Sequence, residues 1–141
     1  MKTSKLEATV GLARALAHPA RVRTLAMLHT GELCVCQITE VLQLAASTVS
    51  AHLRELKLAG LVRERKEGRW VYVGLSKQPE TARWIELALE ALHGEPQLEA
   101  DGRLVAELRR LPLEDLCRLG YEAAKANSRS SSAAVAHRRR T

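Results

Sequence analysis

At Gly60 the hydrophobic period of this chain changes, and that change limits the fold more than any other feature. Before it, apolar residues recur at helical spacing. After it, residues 61–66 and 69–73 flank Glu67-Gly68 and read as two strands joined by a tight turn. Helical spacing returns over 79–92, with Trp84, Leu87, Ala88, Ala91 and Leu92 on one side. Upstream, the stripe Leu6, Val10, Ala13 and Leu16 predicts a helix over 5–16. His18-Pro19 breaks it, and Pro19 suits the first turn of a second helix over 19–29. A short third helix is expected over 33–42 and a fourth over 46–59, the latter burying Val49, Leu53 and Leu56. Gly60 is then free to take the left-handed conformation that closes it.

Two short helices, a tight connection and a basic hairpin make a winged helix-turn-helix, so the fold class is mainly α with a small β-hairpin. At 141 residues the chain fits one domain. Aromatic residues are 3% with no Phe, which leaves packing to Leu, Ala and Val and favours helices over a sandwich. The expected organisation is a DNA-binding unit over 1–93, a helical extension over 94–126 and a basic, disordered tail over 127–141. Within the extension, 98–110 and 113–126 read as two short helices parted at Pro112. The start MKTSKLEATV has no apolar signal core, and no stretch is long enough to span a bilayer. A cytoplasmic protein with no membrane partner is therefore expected.

The net charge of +6 is unevenly placed. Residues 47–77 carry seven Lys/Arg against three acids, whereas 78–126 carry six against ten. A basic middle beside an acidic flank suits a surface that faces a polyanion. The fourth helix would lay its N-terminal residues toward base edges, here Ser47, Thr48, Ser50 and His52, with Arg54 and Lys57 further along. The hairpin adds Arg63, Arg65, Lys66 and Arg69 for phosphates or a minor groove. The competing reading is a small helical domain with a solvated hairpin.

Three cysteines are a poor disulfide framework and point to metal or redox chemistry. Cys34 and Cys36 fall at a helix start, where the positive end of the helix favours the thiolate, a soft ligand. On an ideal helix these two positions point roughly 200° apart, so sharing one ion requires the first turn to deform. Quiet burial of both as small apolar groups is the alternative. No nucleophile-base pair, paired carboxylates or glycine-rich phosphate loop is visible, which argues against an enzyme or an organic cofactor.

Three segments then carry a family resemblance: 16–21 (LAHPAR), 32–36 (ELCVC) and 47–53 (STVSAHL), supported by 60–62 and 68–72. Over roughly residues 8–92 the chain resembles the ArsR/SmtB family of metal-responsive repressors, in its arsenic-responsive branch. The resemblance implies a homodimer paired through the first and last helices of the domain. It also implies binding to a double-stranded, imperfectly palindromic operator, and release when trivalent arsenic (arsenite or methylarsenite) or antimonite binds Cys34 and Cys36. Three departures matter. The position of a frequent third cysteine is Thr39, which leaves Cys117 as the remaining thiol, readable as third ligand or as an apolar helix-face residue. Ala45, Ala46 and Ala51 stand where relatives often have polar groups, and an uncapped start at 45 weakens that helix by about 1 kcal/mol. His93 is the lone histidine of 79–93, so the family's zinc pattern between those helices is missing. Two other functions stay open: a repressor of the same fold that senses oxidants or persulfides through its thiols, and an arsenite carrier.

Overall fold

The computed structural model describes residues 3–139. Helix α1 (Lys5–Ala15) opens on a reciprocal cap: the Glu7 amide donates to Ser4 Oγ at 3.1 Å, and the Ser4 amide donates to the Glu7 carboxylate at 3.2 Å. Helix α2 (Pro19–Leu28) starts on Pro19 as expected, and His18 Nδ1 accepts the Ala20 amide at 3.1 Å. The expected third helix begins two residues late. Leu33 and Cys34 form a strand, β1 (Leu33–Cys34), and only then does α3 (Val35–Leu42) start. The cause lies far along the chain, because β1 pairs antiparallel with the hairpin, Leu33 opposite Val73 and Cys34 opposite Tyr72.

Helix α4 (Ala46–Leu58) buries Val49, Leu53 and Leu56, the expected face, and has no side-chain cap at Ala45. Its end is a Schellman turn: Gly60 at φ +78° donates to Lys57 O and Leu61 donates to Leu56 O, both at 3.0 Å. Strands β2 (Val62–Glu67) and β3 (Trp70–Leu75) pair through a turn made of Gly68 and Arg69, so Arg69 stands at the tip and not within the second strand. The sheet order is β1-β3-β2.

Helices α5 (Pro79–Ala91), α6 (Pro96–Leu108), α7 (Leu113–Leu119) and α8 (Tyr121–Arg138) follow. Val105, Leu108 and Leu116 join the same buried cluster as Leu25, Ile38, Val49 and Val73, so the residues after Gly94 share the core of the helices before it. Arg23 grips Asp101 with two bonds of 2.8 and 2.9 Å across α2 and α6. Arg109 donates to the Gly31 carbonyl at 3.1 Å.

Leu6 and Val10 of α1 lie 74% and 45% exposed, and Leu87 of α5 lies 67% exposed; α5 turns Thr81 and Ile85 inward instead. The chain after Asn127 continues as helix α8, where a disordered tail was expected up to 141; residues 140–141 lie outside the described ones. Six alanines over 123–136 and no Gly or Pro beyond Gly120 favour that helix, and fully buried Ala124 anchors its start. Among the described residues no helix is long and apolar enough to cross a membrane.

Candidate functional site

The first site is built from three thiols. Cys34 ends β1 and is the N-cap of α3, with extended backbone angles (φ −73°, ψ 147°); its side chain is buried and its thiol is free. Its amide donates to Gln37 Oε1 at 2.8 Å. Cys36 lies in the first turn of α3, and Cys117 reaches it from α7, 81 residues away. The ligand atoms of Cys34, Cys36 and Cys117 all lie within 4.8 Å of one another. Cys36 and Cys117 are joined as a disulfide, with Cα atoms 5.4 Å apart.

This geometry alters the sequence reading at two points. Cys34 and Cys36 converge without deforming the helix, since Cys34 precedes it on a strand. The pair that closes is Cys36 with Cys117, a disulfide where the sequence reading saw a poor disulfide framework. Three sulfurs sharing a soft ion at about 2.3 Å, the zinc–thiolate distance, stand less than about 4.6 Å apart. Such a site requires Cys36 and Cys117 in reduced form, since a disulfide offers no thiolate. Thr39 is occupied elsewhere, donating its hydroxyl to Val35 O at 2.8 Å.

A cavity of about 390 Å³ opens beside the thiols, walled by Cys34, Cys36, Ser50, Leu53, Arg69 and Trp70. Cys34, Cys36, the fourth helix and the hairpin tip therefore share one wall. This neighbourhood could not be read from the sequence, because it depends on the β1–β3 pairing.

The second site is the outer face of α4 with the hairpin. Ser47, Thr48, Ser50, Arg54 and Lys57 are exposed along α4. His52 differs from the expected base reader: it is half-buried, its ring centroid 4.2 Å from that of His18, with Nδ1 3.4 Å from Arg21 Nη1. Burial first, then the neighbouring His18 and Arg21, lower its pKa and favour the neutral ring. Arg21 also binds the Ala15 and Arg14 carbonyls at 2.7 and 3.0 Å, which ties the end of α1 to this corner.

The hairpin cations are largely engaged. Arg65 pairs with Glu32 at 2.6 Å and Glu67 at 2.5 Å, and lies over Tyr72; its hydrogen bonds hold the Glu32 carboxyl below the usual carboxylate range. Arg63 donates to Leu75 O at 3.2 Å, and Lys57 pairs with Glu64 at 3.2 Å. Arg69 stacks on Trp70 and pairs with Glu114 of α7 at 2.9 Å. Among the described residues Arg54 and Lys66 have no ion pair. Glu114 was missed in the sequence; the available signal was an acidic first turn three residues, one helical face, before Cys117.

Helix, short connection, exposed second helix and paired strands define a winged helix-turn-helix regulator. A family described as "Bacterial regulatory protein, arsR family" matches residues 18–64, from the cap of α2 into β2. The "Arsenic resistance transcriptional regulator ArsR1" of Pseudomonas putida is 36% identical over 102 residues, 70% of this chain and 78% of that protein. HlyU from Vibrio cholerae superposes with a TM-score of 0.57 at 36% identity, over 65% of this chain and 98% of that one. The solution structure of a homodimeric winged helix-turn-helix DNA-binding domain from Mycobacterium bovis gives 0.55 at 29% identity, over 67% and 94%. This chain belongs to the arsR family of bacterial transcriptional regulators. These relatives are regulators and not enzymes. Cys34 and Cys36 lie inside the family match and Cys117 lies outside it.

Proposed function

We propose that this protein is a cytoplasmic repressor of a metalloid-resistance operon that holds double-stranded operator DNA as a homodimer and releases it when trivalent arsenic, or antimony, is bound. Cys34, Cys36 and Cys117 are the ligands in this reading. The observation that carries it is the convergence of three thiols from β1, α3 and α7, two of which, Cys34 and Cys36, line the same cavity as Ser50 and Arg69. Trivalent arsenic takes three thiolates in a pyramid, and this set supplies them from one chain. Relatives named for arsenic resistance support the inducer class.

DNA contact is assigned to Ser47, Thr48, Ser50, Arg54 and Lys57 of α4 and to Arg63, Arg65, Lys66 and Arg69 of the wing, with His52 as a support that orients the helix. The exposed Leu6, Val10 and Leu87 give the homodimer its apolar contact. Two recognition helices related by a two-fold axis then read a palindrome. Inducer binding draws the α3 start and α7 together, and α4, packed on α3, shifts with it.

The test is fluorescence anisotropy of a labelled duplex from the promoter of the protein's own gene. Arsenite should dissociate the wild-type complex, and Cys34→Ser or Cys36→Ser should abolish that response with DNA affinity intact. A Cys34→Ser protein that still released DNA normally would refute the assignment. A carrier would bind arsenite and leave the duplex alone.

The Cys36–Cys117 disulfide favours a second reading, oxidant sensing by the same fold. Two thiols give up two protons and two electrons to a peroxide, which is reduced to water, and the disulfide closes. Peroxide would then release DNA with no metalloid present, and Cys34→Ser would leave that release unchanged.

A further inference from the structure

Arg69 differs from the other hairpin cations in the origin of its partner. Arg65 is held by Glu32 and Glu67, and Lys57 by Glu64, all close to the DNA-reading elements themselves. Arg69 is held by Glu114, a residue of α7. Cys117 lies one helical turn further along α7, on the same face, and is bonded to Cys36. A cavity of about 240 Å³ between wing and extension is lined by Arg69, Trp70, Glu114, Cys117 and Arg118.

The two members of the Arg69–Glu114 pair are 65% and 68% exposed. An exposed pair of this kind is weak by itself. Covalent or metal-bridged attachment of Cys117 changes that, because it restrains α7 beside the wing and raises the effective concentration of Glu114 at Arg69. The carboxylate then occupies the guanidinium edge that a DNA phosphate would take.

We propose that Glu114 acts as an internal substitute for a DNA phosphate, capturing Arg69 at the wing tip whenever Cys117 is fastened to the α3 thiols. Fastening α7 thus removes one backbone contact per protomer, independently of any movement of α4. The proposal rests on the reading above that the wing meets DNA and that the thiol cluster is the switch.

Salt dependence of binding measures it directly, since each phosphate contact contributes about 0.9 to the slope of log K against log salt. The full-length protein is compared reduced and after diamide oxidation, with the Cys36–Cys117 bond verified by mass spectrometry, on the promoter duplex and on a mixed-sequence duplex. The oxidised wild type should show a slope smaller by about 0.9 per protomer than the reduced protein. Glu114→Gln should restore the reduced slope in the oxidised protein and change nothing in the reduced one. Asp115→Asn removes the same charge one residue away and should restore nothing. Arg69→Gln should have the low slope in both states, and adding Glu114→Gln to it should have no further effect.

Equal slopes for oxidised wild type and oxidised Glu114→Gln overturn the proposal, as does an equal restoration by Asp115→Asn. Arsenite titration of the reduced protein is read separately, by the near-ultraviolet absorption of arsenic–thiolate bonds. Absence of that absorption with the slope changes intact would sink the inducer assignment and leave the Arg69 capture standing.

Discussion

Removing the carboxylate of Asp101 isolates the tie between α6 and α2. Asp101 is 4% exposed and takes both bonds from Arg23, whose side chain retains 23% exposure; Gln97 adds a third bond at 3.0 Å. These bonds to Asp101 are also what raise the pKa of Arg23 above its ordinary value. Breaking a fully buried pair by deleting one partner costs about 3–5 kcal/mol, because the other charge stays behind uncompensated. Water reaches part of Arg23, so Asp101→Ala should sit near the low end, about 3 kcal/mol. A chain of this size then melts about 10 °C lower. Urea unfolding followed by circular dichroism, at one fixed protein concentration to hold dimerisation constant, measures the loss, and the slope m should not change. Replacing both partners, Arg23→Met with Asp101→Leu, should recover more than half of it, since no unpaired charge remains. A loss below about 1 kcal/mol for Asp101→Ala would refute the reasoning, because such a value belongs to a surface pair.

Other outcomes follow from single residues. Cys117→Ser should lose release by arsenite, which needs three thiolates, yet keep release by methylarsenite, which needs two; the same anisotropy titration with both arsenicals decides it. Ala45→Ser should supply the cap that α4 lacks and stabilise the protein by about 1 kcal/mol in urea. His52 has a folded-state pKa below its ordinary 6.5, so the unfolded chain binds the proton more readily. Its contribution is fully present above pH 6.5 and lost as pH falls through the lower folded value. Urea midpoints from pH 8 to 5 should therefore fall more steeply in the wild type than in His52→Asn.

The parts legible in the sequence are those decided locally. The buried face of α4 follows from the spacing of Val49, Leu53 and Leu56, and the turn at Gly60 from the need for positive φ. The short strand at Leu33 was hidden because two residues carry no period, and their partners lie some forty positions on. Helical spacing on α1 located an apolar stripe but not what covers it, and the single chain leaves Leu6 and Val10 exposed. That the two thiols at 34 and 36 fall at a helix start was readable, whereas the approach of Cys117 depends on α6 packing on α2 and α7 packing on α3. Which cations were free also escaped the sequence, since Arg65 and Arg69 are neutralised by residues 33 and 45 positions away.

The bond between Cys36 and Cys117 encloses the whole of α4, the wing, α5 and α6 in one loop of 81 residues. Closing a loop of that length removes about 4.5 kcal/mol of chain entropy from the unfolded state at 25 °C. A bridging ion acts in the same direction, by binding the folded thiols ahead of the scattered ones. The form proposed to let go of DNA is therefore the form most resistant to unfolding and to proteases that need an open chain. On that proposal, a cell under metalloid or oxidant stress would keep its displaced regulator intact, ready to reoccupy the promoter once the thiols are cleared, with no new synthesis.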